Sequence, residues 1–196
     1  PFDAAPMIKR LLFVPLALAS AALHAADWTE FRGPGAQGHS DAIGLPLTWS
    51  PTSHIAWKAP VAGVGWSSPV VVGDRIFLTS AVSLSGKEEA TADRSLRVLA
   101  LDAATGKTVW DVELFQAKAP RAHRKNSHAS PTPVYEDGKL YVHFGHQGTA
   151  CLDLTGKKLW ENRSFFYQPQ HGNGSSPVLA AGNLIFSCDG REEQFV

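Results

Sequence analysis

Methionine occurs once, cysteine twice and tyrosine three times in 196 residues. Two cysteines exclude a disulfide-stapled scaffold and a four-cysteine zinc site. An excess of either charge is also missing, with 18 Lys+Arg against 18 Asp+Glu. Without a basic run there is no electrostatic basis for holding nucleic acid, whose affinity comes largely from neutralised phosphates. No apolar stretch reaches the roughly 18–20 residues that a membrane-spanning helix needs. Two common catalytic signatures are absent too. Gly65-Trp66-Ser67-Ser68-Pro69 leads into a strand and is not a Gly-x-Ser-x-Gly elbow. Gly172-Asn173-Gly174 is followed by Ser-Ser-Pro and opens no helix, so it is not a phosphate loop.

What remains is a moderately apolar chain, 44% hydrophobic, with 17 Gly and 13 Pro spread between short apolar runs. That distribution predicts many turns between short strands. The beginning reads differently. Residues 1–6 precede Met7 and read as upstream of a start codon. Residues 7–26 show Lys9 and Arg10, an apolar run from Leu11 to Ala22, and small residues at Ala25 and Ala26. This is the order of a secretory signal peptide, which implies a periplasmic or secreted protein. In such a compartment Cys151 and Cys188 either pair or sit buried in strands.

The decisive feature is repetition. Ala100-Leu101-Asp102-Ala103-Ala104-Thr105-Gly106-Lys107-Thr108-Val109-Trp110 returns as Cys151-Leu152-Asp153-Leu154-Thr155-Gly156-Lys157-Lys158-Leu159-Trp160, and Gly106 and Gly156 are 50 residues apart. Ile55-Ala56-Trp57-Lys58 reads as the end of an earlier unit. Ser67-Ser68-Pro69-Val70 begins a second repeated motif, which recurs from Ser130-Pro131 and from Ser175-Ser176-Pro177. One unit holds four strands, near 68–72, 75–80, 96–102 and 107–114; the next places them near 132–136, 139–144, 148–153 and 157–162. Four antiparallel strands every 45–50 residues or so is the period of a β-propeller blade. Within the repeated turn, Asp102 can accept backbone N–H bonds while Gly106 supplies a positive φ. Trp110 then falls on the outermost strand, where a flat side chain packs against the neighbouring blade.

The pattern Ala-x-Asp-x-x-Thr-Gly-x-x-x-Trp at 100–110 resembles the repeat of the pyrroloquinoline-quinone-like β-propellers. That family includes periplasmic quinoprotein alcohol dehydrogenases and the propeller of the outer-membrane β-barrel assembly machinery. Trp28-Thr29-Glu30-Phe31-Arg32-Gly33-Pro34-Gly35 is similar to the opening of a secreted bacterial branch of quinone-binding-like repeat proteins. The resemblance implies an all-β ring of about seven or eight blades. On that pattern the chain divides into an N-terminal arm (27–54), a closing outer strand (55–62), blade 1 (63–115), blade 2 (116–163) and a partial blade 3 (164–196). It reads as the N-terminal two and a half blades of a longer protein, with Trp57 on the outer strand of a blade completed by C-terminal sequence.

Where each blade's first strand begins, the chain reaches the mouth of the central channel. The segments 63–68, 125–130 and 171–176 are all polar or Gly-rich, and they nominate Trp66, Ser67, His128, Ser130, His171 and Asn173 as a candidate site. An insertion from Ala81 to Arg94 falls on the same face by strand parity. Equally, these residues could be turn formers with no ligand. His123, His128, His143, His146 and His171 lack an acidic partner at ligand spacing, so no metal site is read there. Two functions follow: a binding or scaffold module for a protein or carbohydrate partner, or, by the resemblance, a dehydrogenase using pyrroloquinoline quinone and calcium on an alcohol or sugar. The adjacent cysteine pair of the alcohol dehydrogenases is missing, since Cys151 and Cys188 are 37 residues apart. The expectation is therefore a scaffold, with no cofactor in these residues and any quinone or calcium ligand supplied by blades beyond them.

Overall fold

The computed structural model describes residues 27–87, 89, 92–118 and 122–196. The signal peptide expected at 7–26, and the six residues before it, lie outside the described residues. Strands β1 (Val70–Val72), β2 (Arg75–Ser83), β3 (Arg94–Asp102) and β4 (Thr108–Ala117) form one antiparallel sheet in that order. A second sheet repeats it with β5 (Val134–Glu136), β6 (Lys139–His143), β7 (Thr149–Asp153) and β8 (Lys158–Asn162). Two hairpins follow, β9 (Val178–Ala180) with β10 (Asn183–Ile185), and β11 (Cys188–Asp189) with β12 (Gln194–Phe195). The protein is all-β, built from four-stranded antiparallel sheets of propeller-blade type.

The inner strands are short and the middle ones long. In β3, Leu96, Val98, Leu99, Ala100 and Leu101 are all buried, on both faces of the strand. Burial on both faces makes this middle strand read as a continuous apolar run rather than an alternating one, with the Leu96, Val98 and Ala100 face packed on the second sheet. One apolar cluster joins the two sheets through Phe77, Leu96, Val98, Leu140, Phe144 and Leu152. Each of the larger side chains contributes about 2–3 kcal/mol by leaving water.

The repeated turns form as their composition dictates. Asp102 Oδ1 accepts from Thr105 N at 2.9 Å and from Thr105 Oγ1 at 2.7 Å. Asp153 Oδ1 accepts from Thr155 N (2.9 Å), Thr155 Oγ1 (2.6 Å) and Lys157 N (3.0 Å). Those bonds, the Thr hydroxyl first, hold both carboxyls below the usual carboxylate range. Gly106 and Gly156 close the turns at φ 70° and 88°. Each turn receives a tryptophan from the preceding unit. Trp57 donates Nε1–H to Ala103 O at 2.9 Å, and Trp110 donates to the equivalent Leu154 O at 3.0 Å.

The Ser-Ser-Pro repeat has a structural use as well. Ser68 N donates to Thr132 Oγ1 at 3.0 Å, and Thr132 N donates to Ser176 Oγ at 2.9 Å. Ser68, Thr132 and Ser176 each stand two residues before the first strand of their blade. A hydroxyl at this position thus ties each inner strand to the previous one.

One detail differs from the sequence expectation. The insertion at 81–94 is shorter than it reads, because Ala81, Val82 and Ser83 pair with Leu96, Ser95 and Arg94 and extend β2 and β3. Ala81 is held in addition by an antiparallel bridge to Val64, which explains why the strand runs past its apolar core. Residues 55–62, read as the outer strand of a blade whose other strands lie beyond these residues, pair with no strand among the described residues, and Trp57 is held by its side chain.

Candidate functional site

Strand direction separates two ends of each blade. The Asp-x-x-Thr-Gly turn lies beside the first hairpin, as Ala103 N donates to Asp74 O at 2.9 Å. The segment leading into β1 lies at the other end, where Val64 and Ala81 exchange bonds of 3.0 and 2.9 Å. Gly106 and Gly156 are therefore on the opposite face from Trp66, His128 and His171.

At the mouth end the three lead-in segments are joined. Ala129 O accepts from Trp66 N at 3.0 Å, Ser67 N at 3.2 Å and Thr79 Oγ1 at 3.3 Å. His171 O accepts from His123 N at 3.0 Å and from Asn126 Nδ2 at 2.9 Å, while Asn126 Nδ2 also reaches Asn173 O at 3.3 Å. The His123 and His171 rings meet edge to face at 5.2 Å.

The candidate residues divide into two groups. Ser67 Oγ accepts from Thr79 N at 3.2 Å. Ser130 Oγ donates to Asn126 Oδ1 at 2.6 Å. Asn173 is buried over Gly145 and donates Nδ2–H to Phe144 O at 3.3 Å. These three hold the backbone in place. Trp66, 55% exposed, and His171 present side chains to solvent, and His128 is half-buried between the joined segments.

Clefts open on this face. One of about 390 Å³ is bounded by Gln170, His171, Gly172, Asp189, Arg191 and Gln194. A smaller one of about 160 Å³ is bounded by Gly63, Gly65, Ser67, Thr79 and Ser80. Asn126, Asp189 and Arg191 were not singled out by the sequence. Asn126 is legible only as one polar residue in a polar segment. Asp189 and Arg191 reach the cleft because the β11–β12 turn returns to the mouth, which no local motif announces.

Beneath this face His143 is 1% exposed and stacked on Phe186 at 4.0 Å, with Nδ1 bonded to Thr149 Oγ1 at 2.8 Å. Burial pushes its pKa down to about 4, with repulsion from His146 adding to the shift. His146 is lowered by burial as well. Cys151 and Cys188 stand as buried free thiols, both raised by burial. The described residues contain no group of three or more His, Cys, Asp or Glu able to hold a metal ion.

Four-stranded blades, the Asp-x-x-Thr-Gly turn and the docked tryptophan define a propeller of the quinone-binding-like repeat type. Residues 47–193 match the PQQ_2 family model, described as outer membrane protein assembly factor BamB, and the chain belongs to that family. No curated protein matches it. Among the described residues no helix is long and apolar enough to cross a membrane.

Proposed function

We propose that the chain is part of a periplasmic or secreted binding module that holds a protein or carbohydrate partner against its channel-mouth face. One observation carries the reading: the lead-in segments of three successive blades are fused by Ala129 O, Asn126 and His171 O into a single polar surface. Trp66 and His171 project from it, and His171 borders a cleft carrying both Asp189 and Arg191. Exposed aromatic and mixed polar groups on a rigid scaffold suit recognition of a polar surface. The family description, an assembly factor, favours a protein partner.

The test is site-specific photocrosslinking in cells. A photoreactive residue at Trp66 or His171 should give discrete adducts, while the same residue at Lys107 or Lys157 on the opposite face should give none. Adducts confined to the Lys107 and Lys157 positions would place the working surface at the wrong end.

A further inference from the structure

In each blade the first strand gives one edge to the second strand and turns the other toward the propeller axis. Val71 and Tyr135 stand at equivalent places, opposite Ile76 and Leu140 in the first hairpins of their sheets. Both use their backbone to bind the same partner, the N-terminal segment. Trp28 N donates to Val71 O at 2.8 Å, Val71 N donates back to Trp28 O at 2.9 Å, and Tyr135 N donates to Thr29 O at 2.8 Å. Asp27 Oδ1 takes Gly73 N at 2.8 Å, which anchors the start of the segment. Beyond it the chain curls back on itself. Gly35 N donates to Glu30 Oε1 at 3.1 Å, and a Cβ on Gly33 would lie 2.5 Å from the Trp28 ring. The Trp-x-x-Phe-Arg-Gly-Pro motif is thus a compact loop whose first residues lie across two blades.

We propose that the free edge formed by Val71 and Tyr135 is a binding site for extended polypeptide, which the chain fills in cis with Asp27–Thr29. Paired main-chain bonds give such a strand-addition site its affinity, independent of sequence, and they remove exposed edges that would otherwise template aggregation. The proposal is independent of the mouth-face reading, because it concerns inner-strand backbone and not the exposed side chains.

The test is residue-resolved hydrogen exchange on the unmodified chain. Leu179, equivalent to Val71 and Tyr135 in β9, is the internal reference, since its N–H has no partner among the described residues. The Val71 and Tyr135 amides should exchange at least tenfold more slowly than the Leu179 amide. Trp28→Pro, which deletes the donor to Val71 O, should speed both by more than tenfold. A synthetic peptide of residues 27–38 should restore protection in that variant and should not bind the unmodified chain. Should the variant fail to fold, the exchange comparison in the unmodified chain decides alone. Val71 and Tyr135 amides exchanging as fast as Leu179, or peptide binding equally well to both forms, would overturn the proposal.

Discussion

The Trp110 indole lies over Gly156 of the next blade, 2.9 Å from where a Cβ would stand, and donates its Nε1–H to Leu154 O at 3.0 Å. Trp57 makes the same pair of contacts with Gly106 and Ala103. One residue of each unit therefore reads the turn of the unit after it, which converts a period in sequence into a fixed angle between sheets.

Gly106→Ala and Gly156→Ala should each destabilise the protein by roughly 3 kcal/mol, from positive-φ strain plus displacement of the indole and loss of its hydrogen bond. Gly73 has φ 55° but open space around the position of a Cβ. Gly73→Ala should accordingly cost only about 1 kcal/mol of strain. Urea midpoints of the three variants check this. Equal losses would show that the tryptophan contact contributes nothing.

Thr132→Val keeps the shape of a side chain that is 1% exposed but removes the acceptor for Ser68 N. Leaving that N–H without its partner should cost about 1–3 kcal/mol. Faster exchange at the Ser68 amide, measured by NMR, should accompany the loss.

How much of this was readable beforehand follows from the range of the interactions. The four strands of each blade and the Asp-x-x-Thr-Gly turns are set by local patterns, and the strands of both sheets fall within a few residues of where alternation puts them. Trp57 and Trp110 could be assigned to an interblade contact from their spacing, but their acceptors, Ala103 O and Leu154 O, could not. Backbone carbonyls carry no signature. The same holds for Ala129 O, which joins two lead-in segments, and for Trp28, whose bonds to Val71 are main-chain only. At the mouth, Ser67, Ser130 and Asn173 were visible as polar residues. That their polar atoms turn inward depends on the packing of Thr79, Asn126 and Phe144, all remote in sequence or hidden in an unremarkable segment.

His143 should make the protein sensitive to acid. Its folded pKa of about 4 lies below the ordinary 6.5, so the unfolded chain binds the proton more readily. Its contribution is complete above pH 6.5 and is lost as pH falls toward 4, to a total of roughly 3 kcal/mol. His143→Gln should flatten the pH dependence of the urea midpoint in that window. An unchanged slope would mean that another group is responsible.

The central claim is that the protein works by holding a partner at its mouth and not by oxidising a substrate at a bound quinone. Its most direct test is to titrate the longest available form of the protein with pyrroloquinoline quinone plus calcium, following tryptophan fluorescence and dye reduction with simple alcohols. The scaffold reading predicts no saturable quenching and no dye reduction. Stoichiometric quenching accompanied by turnover would contradict it.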